Sequence, residues 1–224
     1  MSPTVQTVDR NAASHHPTLQ AAERASLVAA LREFLAQDEV LFDREDVKPY
    51  ECEALSAFKQ LPAIVVLPRT EEEVRRVLAL CSARNVPVVA RGAGTGLSGG
   101  ALPHGAGVLL SLARFMRILE IDPMARSARV QPGVRNLAIS EAAAPYGLYY
   151  APDPSSQIAC TIGGNVAENS GGVHCLKYGL TVHNILRLRV CTSDGEIVDI
   201  GADALDSPGY DLSLIHISEP TRRS

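Results

Sequence analysis

Residues 86–101 read VPVVARGAGTGLSGGA, a β-branched run that stops at Arg91 and gives way to Gly92, Gly94, Gly96, Gly99 and Gly100. So many glycines cannot form the interior of a helix or strand, because glycine loses the most backbone freedom on ordering. A loop directly behind a strand can instead turn several backbone N–H groups onto one anion and let it come close. Thr95 and Ser98 add hydroxyl donors between the glycines. The alternative is a flexible linker, but linkers do not usually sit directly behind a strand pattern, so a phosphate cradle is favoured.

The residues beyond the loop narrow the kind of cradle. Gly94, Gly96 and Gly99 have the spacing of a dinucleotide fingerprint, which carries meaning only when a helix comes next and an acid lies ~20 positions on. Pro103, Gly105 and Gly107 break any such helix, and no carboxylate occurs between Ala90 and Glu120. A nicotinamide Rossmann domain is disfavoured, and the Walker lysine motif is absent.

A formal charge of −4 leaves no basic stripe for a nucleic acid. No apolar run is long enough for a membrane span, and residues 1–20 lack the apolar core of a secretory signal. Cys52, Cys81, Cys160, Cys175 and Cys191 are odd in number, widely spaced and without a CxxC pair. That suits reduced thiols and a cytoplasmic location better than disulfides or a metal site.

In chain order, residues 1–20, with His15 and His16, read as a disordered N-terminus. Leu27, Leu31, Phe34 and Leu35 predict an amphipathic helix over 21–36 within an N-terminal helical segment, 21–62. Residues 43–59 are charged and irregular, and no chemistry is assigned to them. A strand over 63–67 precedes a Thr70–Glu73 capping box and a helix with Val74, Val77, Leu78 and a packed Cys81 on its apolar face. Asn85 ends that helix. The strand over 86–89 then completes a strand–helix–strand unit of parallel neighbours, with the glycine loop at its carboxyl end. A short strand comes next at 108–112. Hairpins are expected over 118–131 and 186–200, the second turning at Ser193, Asp194 and Gly195. A helix over 134–144, ended by Pro145 and Gly147, stands between them. The mixed order suggests two α+β subdomains, 63–112 and 113–212.

Residues 151–179, APDPSSQIACTIGGNVAENSGGVHCLKYG, show almost no helix or strand pattern but are dense in Gly, Ser, Asn and Pro. A loop this long inside a compact domain is usually functional or disordered. Ile158, Ile162, Val166, Val173 and Leu176 run through it and favour burial over disorder. The neutral donors and acceptors of Ser155, Ser156, Thr161, Asn165 and Asn169 suit a large heterocycle with a diphosphate better than a metal. His174 reads as packed or hydrogen-bonded, Lys177 as a surface or structural cation, and Glu168 is not taken as a general base.

Taken together, RGAGTGLSGGA, PDPSS, IGGNVAENSGGVHCLKYG and DGEIVDIG resemble the FAD-binding domain of the vanillyl-alcohol-oxidase (PCMH) type. More narrowly, they are similar to its glycolate-oxidase and D-lactate-dehydrogenase branch. The resemblance covers about residues 27–212. It implies a two-subdomain α+β PCMH-type fold with FAD between the subdomains. Arg91, Gly92, Ala93, Gly94, Thr95, Gly96, Leu97 and Ser98 would cradle the pyrophosphate, with Pro152, Asp153 and Ser156 beside them. Thr161, Gly163, Gly164, Asn165, Asn169, Ser170 and Gly171 would line the isoalloxazine and ribityl chain, and Ile197 and Val198 would lie near the adenosine. Family members with covalent flavin carry a histidine in the first glycine loop; this loop has none, so non-covalent FAD is expected.

The implied activity is FAD-dependent oxidation of a small 2-hydroxy acid, hydride passing from the substrate α-carbon to flavin N5, with further oxidase subunits as possible partners. No catalytic acid or base is named. Two other readings are a UDP-sugar reductase of the same flavin fold, disfavoured by the wording of the second cluster, and a non-catalytic folding unit. The family pattern departs after PGYDL at 208–212, where the chain continues as SLIHISEPTRRS. Residues 213–224 are therefore read as a non-native tail, and the C-terminal substrate-cap domain as absent.

Overall fold

A computed structural model describes residues 18–201. The expectations for residues 1–17, for PGYDL and for the 213–224 tail lie outside them.

The interior is built on four short strands, β1 (Val40–Leu41), β2 (Ile64–Val66), β3 (Val88–Arg91) and β4 (Val108–Ser111), in the order β1-β2-β4-β3. β1 is antiparallel to β2, while β4 runs parallel to both β2 and β3. Side chains alternate across this sheet as the strand period requires. Ile64, Val66, Val108 and Leu110 face helices α1 (Ala21–Arg32) and α3 (Glu71–Ala83), packing with Leu27, Leu31, Val74, Val77 and Cys81. Val65 and Leu109 point to the other face, against Val47, Tyr50 and Val89. Val47 closes the short helix α2 (Arg44–Val47).

The strand–helix–strand unit forms with one correction. β2 and β3 are parallel but not adjacent, because β4 lies between them. β4 is buried at all four positions whereas β3 is partly exposed, and a strand apolar on both faces belongs at the centre of a parallel sheet. The capping box on α3 is present: Glu73 N donates to Thr70 Oγ1 at 3.2 Å and Thr70 N to Glu73 Oε2 at 2.9 Å. Cys81 is fully buried on its apolar face, and burial pushes the thiol up to about 11. Helix α1 stops at Arg32 rather than 36, and Leu35 reaches the core from the turn beyond it.

Two hairpins come later in the chain, β5 (Ile118–Asp122) with β6 (Ser127–Val130) and β7 (Arg187–Cys191) with β8 (Ile197–Gly201). Between them lie α4 (Asn136–Ala143), α5 (Ile162–Glu168) and α6 (Cys175–Tyr178). After α4 the chain turns through Gly147 at φ +69°, a left-handed position that favours glycine. A smaller core of Val134, Ile139 and Ile162 joins α4 to α5.

Residues 151–179 therefore hold two short helices where no pattern was expected. Their apolar residues also behave differently from expectation. Ile162 is buried, but Ile158 is 65%, Val173 85% and Leu176 100% exposed. Ile158 and Val173 lie in turns outside both helices, and Leu176 is on α6, which buries none of its residues, so these apolar side chains stay outside.

Candidate cofactor-binding site

β3 delivers the chain to the first glycine loop at Arg91. The Arg91 guanidinium folds back under that loop: Nη1 donates to Cys52 O at 2.8 Å, and the group lies 5.8 Å from the centre of the Tyr50 ring. Burial pulls its pKa below the usual value, opposed by Cys52, Tyr50 and Glu53. A Cβ on Gly94, whose φ is +68°, would run into the guanidinium, so loop and support fit only with glycine there.

The loop's amides divide into two sets. Among the described residues, no backbone N–H of residues 92–98 meets a protein acceptor. By contrast, Gly99 N donates to Glu53 Oε1 and Ala101 N to Glu53 Oε2, the latter at 3.1 Å. Gly94 O accepts from Ala54 N at 2.9 Å. A run of free, partly exposed amides beside pinned positions is the donor arrangement that an anion nest requires.

The second cluster comes up against this loop at one point. A Cβ on Gly92 would collide with Thr161 Oγ1 and reach within 3.9 Å of Gly164 N. The close approach thus requires glycine at 92. Thr161 immediately precedes α5, and Ile162 N and Gly163 N are fixed by Val134 O at 2.8 Å and Pro132 O at 2.9 Å. Two buried side-chain atoms here have no partner in the chain: Thr161 Oγ1 and Asn165 Nδ2. Such orphaned groups are costly and rare in folded proteins. A polar ligand lying on α5 would satisfy them.

Other expected residues hold the cluster's own shape. Asn169, at φ +47°, ends α5, and its Oδ1 accepts from Val182 N at 3.0 Å. Ser170 O accepts from Thr181 Oγ1 at 2.7 Å, and a Cβ on Gly171 would fall 2.6 Å from Leu180 Cδ2. Pro152 O accepts from the buried Asn136 Nδ2 at 3.0 Å. Ser156 O takes the N–H groups of Ala159 and Cys160, each at 2.8 Å. Asp153 receives His174 through Nδ1 at 2.6 Å and through the backbone N at 3.2 Å. The His174 contact holds the Asp153 carboxyl below its ordinary range. His174 is thus hydrogen-bonded, as expected.

Loop 92–100 and α5 are brought together, as are the Pro152–Asp153 and Gly172–His174 pieces. Ile197 and Val198 are not joined to either group by a hydrogen bond among the described residues. Their hairpin docks on α3, where Arg189 pairs with Glu71 at 2.8 Å and Arg75 Nε donates to Gly195 O at 2.9 Å. Sequence reasoning missed Tyr50, Cys52 and Glu53, which sit in the segment given no chemistry. No local pattern flags them, since their partners lie some forty positions later in the chain.

The donor set fits a diphosphate joined to a polar heterocycle: free amides for the anion, and orphaned hydroxyl and amide groups beside it. A family profile described as an FAD binding domain matches residues 62–201. The chain belongs to that family. Within it, the chain is 64% identical over 190 residues to the glycolate oxidase subunit GlcD of Escherichia coli K12, covering 85% of this chain and 38% of that protein. It is 31% identical over 193 residues to D-2-hydroxyglutarate dehydrogenase of Stutzerimonas stutzeri, covering 86% of this chain and 42% of that protein. Among solved structures, p-cresol methylhydroxylase superposes with a TM-score of 0.71 at 22% identity, over 82% of this chain and 36% of that one. Alkyldihydroxyacetonephosphate synthase gives 0.74 at 22% identity, over 90% and 38%. The PCMH-type fold of the FAD-binding family is therefore present. The chain spans about two fifths of the length of its curated relatives.

Proposed function

We propose that this chain is the FAD-binding portion of an FAD-dependent 2-hydroxy-acid dehydrogenase that takes glycolate, with D-lactate or another D-2-hydroxy acid as the alternative substrate. One observation carries the reading: the free amides of residues 92–98 lie beside the orphaned Thr161 and Asn165 groups at the junction of the two glycine clusters. When bound, FAD would supply the hydride acceptor for oxidation of the substrate α-carbon. The chain's own work is to hold and orient. The amides of 92–98 take the diphosphate charge, α5 offers Thr161 and Asn165 to the polar part of the cofactor, and Asp153 and His174 fasten the 151–160 segment alongside. The residues proposed to bind are those of 91–98, with Pro152, Asp153, Ser156, Thr161, Gly163, Gly164, Asn165, Asn169, Ser170 and Gly171. Ile197 and Val198 are proposed at the adenosine end. The two-subdomain division, 63–112 and 113–212, belongs to the same proposal.

Attachment is proposed to be non-covalent, since residues 91–101 contain no histidine. Glycolate is favoured by the 64% identity to the E. coli glycolate oxidase subunit, and the word subunit in that protein's name supports further oxidase subunits as partners. No helix among the described residues is long and apolar enough to cross a membrane. A cytoplasmic location is proposed from the unpaired cysteines.

The test is reconstitution. The chain mixed with FAD and passed through a desalting column should keep a yellow absorbance band that acid precipitation releases into the supernatant. Anaerobic bleaching of that band by glycolate, but not by D-lactate, would support the substrate. A colourless chain that ignores added FAD overturns the cofactor reading.

A further inference from the structure

Glu53 belongs to no motif that led to the site, yet its carboxylate lies inside the glycine loop. The residue is 5% exposed. Its carboxylate oxygens accept from the backbone N–H groups of Gly99 and Ala101. A Cβ on Gly96 would stand 3.4 Å from Glu53 Oε2, so Gly96 too lies in ordinary contact range of the carboxylate. The neighbouring residues fasten the same loop twice more, Ala54 N to Gly94 O at 2.9 Å and Arg91 Nη1 to Cys52 O at 2.8 Å. Burying a carboxylate is costly unless its oxygens are well satisfied. Here that cost is offset by two charge-assisted bonds to amides at the far end of the nest.

We infer that Glu53 is a positioning residue for the diphosphate cradle: a resident anion that pins Gly99 and Ala101 and leaves the N–H groups of residues 92–98 as the place for ligand charge. Converging N–H dipoles repel one another until an anion sits among them. A carboxylate built into one end relieves that repulsion before any ligand arrives. The loop is then ordered in advance, and ligand binding is spared that ordering cost. The Glu53 charge acts there with Glu168 Oε1, which lies 2.8 Å from where a Cβ on Gly100 would stand, and the two carboxylates together disfavour a further anion at Gly99–Ala101, which sets where along the loop the diphosphate lies.

The inference rests on reading the loop as an FAD cradle, and the test separates the two. In the full chain, Glu53→Ala should raise hydrogen–deuterium exchange of the 92–101 peptides at least tenfold without FAD, with α3 and the β7–β8 hairpin unchanged. It should weaken FAD binding, read by flavin fluorescence, at least tenfold. Added formate should refill the vacated place and restore both slow exchange and affinity in Glu53→Ala, while leaving the parent unaffected. Parental loop exchange with FAD affinity within twofold of the parent overturns the inference. So does faster exchange spread over every element with no recovery in formate, which marks a merely structural role. If Glu53→Ala does not fold, Glu53→Gln decides: it keeps the shape and loses the charge, and should show faster loop exchange and at least threefold weaker FAD binding at parental circular dichroism. Parental values there overturn the inference. If the parent itself takes up no FAD, the cofactor reading fails, while loop exchange and its recovery in formate still decide the role of Glu53.

Discussion

Thr161 is 6% and Asn165 2% exposed, and each carries a buried polar atom without a partner in the chain. An unsatisfied buried group costs roughly 1–3 kcal/mol, whereas replacing it with an apolar group of the same shape can be neutral or better. Thr161→Val should therefore leave the thermal midpoint of the FAD-free chain unchanged or raised, because nothing is lost there. The same substitution should weaken FAD binding about tenfold, or ~1.4 kcal/mol, because the hydroxyl's partner is the ligand. Calorimetric scans without FAD and fluorescence titrations with it measure the two effects. A loss of stability without a loss of affinity would remove Thr161 from the site.

The second glycine cluster owes its order to straps between short segments more than to a core. The exposure of Ile158, Val173 and Leu176 shows how little apolar packing it has. Asp153 is one strap, gripping His174 by ring and backbone. His174 holds the Asp153 carboxyl below its ordinary value of 3.8. A carboxyl depressed in the folded state contributes stability above its unfolded pKa, and that contribution is lost as pH falls through the folded value. Asp153→Asn should accordingly be less stable than the parent at neutral pH, and the two urea midpoints should converge as pH falls below 3.8. Midpoints that stay equally far apart into that acid range would show that the strap does not depend on the ionised carboxylate.

At the scale of the whole molecule, the chain closes by returning the β7–β8 hairpin to α3. Arg75 Nε reaches Gly195 O across 120 positions, and Arg189 grips Glu71 across 118. These contacts differ in kind. The Arg189 pair is exposed to water and salt, where such pairs contribute little. Gly195 is a steric fit: its φ is +85°, and a Cβ there would fall 2.6 Å from Arg75 O. Gly195→Ala should cost about 1–3 kcal/mol in urea unfolding, and Arg189→Gln much less. The reverse order would mean that charge, not fit, docks the hairpin.

Local sequence by itself determined the capped α3 helix, the two hairpins, the burial of Cys81 and the glycine loop directly behind β3. Each comes from side-chain spacing or from glycine's missing Cβ, and both are written within a few residues. Periodicity said nothing of β4 sliding between β2 and β3, because strand order is settled by which strand can be buried on both faces. It also missed the two short helices of 151–179 and the exposure of Ile158, Val173 and Leu176. Tertiary structure alone brought Thr161 against Gly92 and set Glu53 inside the glycine loop, since the partners lie tens of residues apart and meet only once the sheet has formed.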